Sequence, residues 1–204
     1  MSSIELTTGY SAYQQQKLLG LACESIRYGL EYNRPLQIEP ANSPAWLTER
    51  HASFVTLKTD GRLRGCIGTL EAHAALGDDV AKNAWAAAFR DPRFDPVTPV
   101  EMSGLTLQIS ILGTPEKIWF DSEQDLVGKL RSGIDGLILS EQSARGTFLP
   151  SVWESLPEPA NFLRQLKLKA GLAADYWSDS IEVMRYTTDA FSGSVENIEK
   201  PGLA

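Results

Sequence analysis

Residues Phe54–Leu70 read FVTLKTDGRLRGCIGTL, and this stretch decides the architecture. Asp60-Gly61 stands between two runs rich in apolar and β-branched residues. That spacing predicts a β-hairpin closed by a two-residue turn, with Gly61 at positive φ. Uninterrupted pairing across such a turn sets Cys66 opposite Val55, Arg64 opposite Leu57 and Ile67 opposite Phe54. Side chains alternate along a strand, so Arg64 and Cys66 share one face while Leu63, Gly65 and Ile67 share the other. A guanidinium beside a thiol favours the thiolate, the form that acts as nucleophile. Gly65 and Gly68 leave the backbone around the sulfur uncovered, open to close approach by a ligand or another chain segment. The same cysteine also fits a small buried hydrophobe with glycines beside it for packing.

Outward from the hairpin, helical and strand periods alternate. Leu19, Cys23, Ile26 and Leu30 repeat at helical spacing and predict a helix over about Ala12–Tyr32, with Cys23 on its core stripe. The segment Asn33–Ser43, flanked by prolines, reads as an extended connector. A second helix is expected over about Ala74–Arg90, with Asp78 and Asp79 near its positive end, and it stops at Asp91-Pro92. LTLQISIL (Leu105–Leu112) alternates as a strand with one buried face. Asp121 or Ser122 can cap a short helix ending near Ser132-Gly133. Ile134–Ser140 and Thr147–Leu149 predict a second hairpin with a longer loop. Short helices follow around Ser151–Leu156 and Ala160–Ala170, and Ile181–Tyr186 is expected to close the fold. Residues 192–204 are polar and aperiodic and read as a mobile tail. Together these elements predict an α+β protein with largely antiparallel sheets flanked by helices.

The chain has 204 residues, 43% hydrophobic and 22% charged, with a net charge of −7. This is an ordinary globular composition, and the negative balance argues against a general nucleic-acid binder, which needs a basic surface. Two cysteines do not make a disulfide framework and suit a reducing compartment. MSSIELTTGY lacks a basic segment followed by an apolar run, and no apolar stretch reaches the ~18 residues of a membrane span. A cytoplasmic protein is expected. There is no CxxC, no HxxxH and no phosphate-binding glycine pattern, so no metal and no cofactor is expected.

A cysteine nucleophile needs a base, and only His51 and His73 are present. An extended first strand would put His51 about 13 Å along the ladder from Cys66 at roughly 3.3 Å per residue, too far for a dyad. Arg64, Arg93 and Arg145, if they converge, suit a carboxylate or phosphate. Arg93 equally well braces its loop through Asp91 or Asp95, and Arg145 reads as a solvated loop residue. Phe148 and Trp153 fit either a cleft wall or the core.

Seven segments then point to one family: LRGCIGTL (Leu63–Leu70), AAFRDPRFDPVT (Ala87–Thr98), LQISIL (Leu107–Leu112), GIDGLIL (Gly133–Leu139), GTFLPSVWESLP (Gly146–Pro157), FLRQLKLKAGL (Phe162–Leu172) and RYTTDAF (Arg185–Phe191). In these the chain resembles the AMMECR domain family, whose bacterial and archaeal members are called AmmeMemoRadiSam system protein A. Only around His73 does it depart, where AHAAL replaces the usual proline-containing continuation. The resemblance implies a single domain over residues 1–191, built of two unequal lobes with a cleft that LRGCIG faces. It implies a shared pathway or complex with Memo-like and radical-SAM proteins, and it supplies no catalytic mechanism. The candidate site is Cys66 as nucleophile, with Arg64, Gly65, Gly68, Thr69, Arg93 and Phe94 as contacts for a small anionic ligand. The alternative is a non-catalytic partner or carrier subunit in which LRGCIG is an interaction surface or structural turn.

Overall fold

The computed structural model describes residues 9–39, 41 and 43–198. Helix α1 (Ala12–Tyr32) opens at Ser11, whose hydroxyl accepts from the Gln14 N–H while the Gln14 side chain accepts from the Ser11 N–H. Asn33, at φ 52°, ends it in the left-handed conformation. Leu18, Leu19, Ala22, Cys23 and Ile26 form its buried stripe, so Cys23 is a core residue as its spacing predicts.

The hairpin forms from β1 (Ser53–Thr59) and β2 (Arg62–Gly68). Its turn residues Asp60 and Gly61 lie at φ 51° and 74°, the pair of positive values that a type I′ turn requires. Next to the turn, Thr59 faces Arg62 and Lys58 faces Leu63, in the expected register. A β-bulge then interrupts β2. Beyond it Leu57 faces Gly65, Thr56 faces Cys66, Val55 faces Ile67 and Phe54 faces Gly68. This corrects the expected partners of Arg64, Cys66 and Ile67 by one residue, because Arg64 is the extra residue in the ladder.

A short helix α2 (Ala45–Thr48) follows Pro44, just after the segment read as connector and in a stretch to which the sequence assigned no element. Helix α3 (Leu76–Phe89) packs against α1. The Ser25 hydroxyl donates to the Ala81 carbonyl, and Gly29 makes room for the rings of Trp85 and Phe89. Strand β3 (Leu105–Leu112) pairs antiparallel with β1. The remaining elements are β4 (Glu116–Lys117), α4 (Glu123–Lys129), β5 (Gly136–Glu141), β6 (Ala144–Phe148), α5 (Pro159–Lys169), β7 (Glu182–Tyr186) and β8 (Thr188–Ser194).

Among the described residues, 9–112 and 189–198 form one compact unit, and 113–188 form a second. The first holds a sheet of order β2-β1-β3-β8. Val55, Leu57, Leu107 and Ile109 join the apolar stripes of α1 and α3 in its core. Strand β8, and the 3-10 turn Val195–Asn197 after it, correct the expected tail. Val195 and Ile198 are buried in the same core, an anchor of two apolar side chains that flanking polar residues mask in the sequence. The rest of that expected tail, residues 199–204, lies outside the described residues.

The second unit holds a sheet of order β4-β7-β5-β6, with antiparallel pairing throughout. Its β5–β6 hairpin turns through Gln142 and Ser143 alone, tighter than the loop expected. Trp153 stacks on Phe162 at 3.7 Å and donates its indole N–H to the Asp135 carbonyl. It is a core residue. The fold class is α+β, as the sequence predicts. Among the described residues no helix is long and apolar enough to cross a membrane.

Candidate functional site

The backbone at Cys66 turns away from the hairpin. Its N–H donates to Asp91 Oδ2 at 2.8 Å, and its carbonyl accepts from Arg93 Nη2 at 3.3 Å. A strand residue whose polar groups point outward forms a non-hydrogen-bonded pair with its neighbour across the ladder, the pair in which side chains lie closest. The Thr56 hydroxyl accordingly donates to Cys66 Sγ at 3.2 Å. Thr56 also faces Gln108 on β3. Cys66, Thr56 and Gln108 therefore form a polar row across three strands, on the face opposite Leu57 and Leu107. Each is half-buried.

Asp91 and Arg93 come from the turn that follows α3. Asp91 is buried, and its carboxylate accepts from the Cys66 N–H and from the Arg93 N–H, Nε and Nη2. The Arg93 side chain holds the Asp91 carboxyl far below the usual carboxylate range. Burial opposes this, and the two backbone N–H groups add to it. In return Asp91, and further out Cys66, keep Arg93 protonated. The Arg93 side chain is 53% exposed, so its outer edge faces solvent.

Arg64 is engaged by a carboxylate of its own. Its Nε and Nη2 donate to the Glu101 carboxylate at 2.8 and 3.3 Å. Glu101 also accepts from the Thr98 N–H and hydroxyl. Arg64 first, then Thr98, bring the Glu101 carboxyl down to about 2. The bulge, which makes Arg64 the additional residue, accompanies this redirection. Arg64 ties the hairpin to the segment before β3, and the cation coupled to Cys66 is Arg93. Both guanidiniums lie over Phe94, whose ring centroid is 5.9 Å from Arg64 and 5.5 Å from Arg93.

Both glycines serve the chain's own packing. A Cβ on Gly65 would lie 2.1 Å from the Ala87 carbonyl oxygen, and one on Gly68 would lie 2.3 Å from the Phe54 ring. Thr69 belongs elsewhere: its hydroxyl donates to Asp79 in a buried network with Ser53 and Asn83. Burial raises the Asp79 carboxyl, against hydrogen bonds from Ser53 and Thr69. His51 lies 3.7 Å from Glu49, and His73 bonds Glu71. Arg145 sits on β6, in the second unit, opposite Ser140. The structure thus brings together Cys66, Arg93 and Phe94, with Arg64 also over the Phe94 ring. A concavity of about 160 Å³ among Ile38, Leu47, Ala75 and Gly77 includes none of these residues. No group of three or more metal-ligating side chains occurs among the described residues.

The sequence reading missed Thr56 and Glu101. A glycine inside a strand is a bulge signal, and a one-residue bulge at Arg64-Gly65 would have placed Thr56 opposite Cys66.

An α+β protein of two four-stranded sheets, one carrying a cysteine on its bulged edge strand, has close counterparts. The family model AMMECR1 matches residues 19–191. A Thermotoga maritima protein is 40% identical over 170 residues, spanning 81% of this chain and 89% of its own length. A Thermofilum pendens protein is 34% identical over 197 residues, spanning 89% and 90%. The crystal structure of an uncharacterized Pyrococcus horikoshii protein is 33% identical and superposes with a TM-score of 0.79, covering 87% of this chain and 90% of that one. The chain belongs to the AMMECR1 family.

Proposed function

We propose that the sheet face around Cys66 binds a small anionic ligand. We further propose that the protein acts in the cytoplasm, in an AmmeMemoRadiSam-type pathway beside Memo-like and radical-SAM partners. The observation that carries this reading is the half-exposed guanidinium of Arg93, hydrogen-bonded to the carbonyl of a cysteine whose sulfur accepts from Thr56. Arg93 and Arg64 each have a carboxylate of their own. The ligand is therefore held by hydrogen bonds to the outer edge of Arg93 rather than by an uncompensated charge. That fits a singly charged carboxylate bound with modest, salt-sensitive affinity. The reading stops at binding, because the partner of the thiol is a hydroxyl, His73 is bonded to Glu71 and His51 lies 3.7 Å from Glu49.

The rival reading, a partner subunit with LRGCIG as a structural element, draws on Gly65, Gly68 and Arg64, which serve internal packing. Purification from cells with the partner proteins, followed by mass spectrometry, separates the two. An anionic metabolite or a Cys66 adduct retained by the wild type and lost in Arg93→Met is expected. Empty protein whose Cys66 reacts with iodoacetamide no faster than the buried Cys23 overturns the ligand reading in favour of the rival.

A further inference from the structure

Strand β2 is an edge of its sheet, and an edge strand presents backbone N–H and C=O groups with no neighbouring strand to receive them. At Cys66 both groups are nevertheless satisfied. Asp91 accepts from the N–H at 2.8 Å and Arg93 donates to the carbonyl at 3.3 Å, the two bonds a neighbouring strand would supply. Asp91 is 4% exposed and takes four hydrogen bonds. The two side chains are locked to each other through Nε and Nη2. We infer that Asp91 is the positioning residue of the Cys66 site: with Arg93 it replaces the missing neighbouring strand, clamps the Cys66 backbone from outside, and so holds the sulfur against the Thr56 hydroxyl.

The inference deepens the ligand-site reading and rests on it only for the importance of the sulfur. The clamp itself is a statement about the Cys66 backbone. A carboxylate is required because it accepts from the Cys66 N–H and from both guanidinium nitrogens at once. An amide in the same place can accept but cannot receive the second N–H of Arg93. Thr56 completes the device from the other side of the strand.

Two readouts on Asp91→Asn test this. Amide hydrogen exchange at Cys66 should speed up by about tenfold, while Val55 and Leu57 on β1 keep their protection. The iodoacetamide rate of Cys66 should change by about threefold, in either direction, with Cys23 still protected. In a Thr56→Val background the same Asp91→Asn change should move that rate by less than about twofold, because the contact through which Asp91 acts is already gone. Wild-type exchange and reactivity in Asp91→Asn overturn the inference. So does a lowered melting temperature without a local change at Cys66, which would make Asp91 a loop brace only. An equal effect of Asp91→Asn with and without Thr56 overturns the route through the sulfur. If Cys66 proves no more reactive than Cys23 in the wild type, the ligand reading fails. The exchange measurement still decides the clamp.

Discussion

The edge strands β2 and β6 face the same packing problem and solve it differently. Each follows a two-residue turn, and each carries a glycine where a helix approaches. A Cβ on Gly65 would lie 2.1 Å from the Ala87 carbonyl oxygen of α3, and one on Gly146 would lie 2.9 Å from the Ala170 nitrogen at the end of α5. Strand β6 keeps an unbroken register with β5, whereas β2 is bulged against β1. The buried carboxylates differ in step. Asp135 in the second unit accepts from the backbone and guanidinium of Arg131, four residues away, while Asp91 accepts from the backbone of a strand. A regular edge asks little of distant side chains. Any edge turns alternate backbone groups outward, and at β2 the side chains that satisfy them fix what the strand displays.

The widest test of this contrast is the same substitution on both strands. Gly65→Ala drives a methyl to 2.1 Å from main chain, so a loss of about 3 kcal/mol or more is expected, against about 1–2 kcal/mol for Gly146→Ala, whose nearest main-chain atom is 2.9 Å away. Urea unfolding of the two variants measures both, and equal losses would erase the difference between the edges. Truncation after Ser194 comes next. It removes the buried Val195 and Ile198 and should cost about 2–3 kcal/mol, with faster hydrogen exchange confined to the first unit. An unchanged melting temperature would show that this segment contributes nothing to the core.

The smallest effect concerns acid and Arg64. The Glu101 carboxyl is lowered from 4.5 to about 2, so its stabilisation is present above the ordinary value and is lost as pH falls through that interval. Asp91, also lowered, acts with the same sign. Asp79 is raised, so its contribution is fullest in acid and declines as pH rises. Arg64→Met should flatten the acid limb by less than about 1 kcal/mol, since Glu101 is partly exposed, and should leave the pH profile of Cys66 alkylation in place. An upward move of that profile would return Arg64 to the thiol.

What could be read from the sequence was local. The apolar spacing of α1 and the Asp60-Gly61 dipeptide each act within a few residues, and the structure follows them. Gly65 inside the strand hinted at a bulge, but the companions that fix its place, Ala87 and Glu101, lie more than twenty residues away in sequence. Strand β8 and the turn after it were missed for the same reason. Gly193 meets Leu19 of α1, a contact that no periodicity announces. Within the site, Cys66 and Arg93 stood out by residue type, while Thr56 depended on a register that only the bulge reveals.

The open turn at Asp60-Gly61 also gives the protein a chemical clock. Apart from its chain neighbours, nothing lies within 4 Å of where a Gly61 Cβ would be, so no packed side chain stands against a rearrangement of the turn. Ring closure there to a succinimide, followed by hydrolysis, yields isoaspartate, which lengthens the main chain by one carbon and leaves the mass unchanged. A two-residue turn has no slack for an added atom. The turn-side pairs Thr59–Arg62 and Lys58–Leu63 would be released first, and the bulge stands between them and Cys66. Stored protein would then lose its hairpin tip with time at constant temperature, long before its Cys66 chemistry changed.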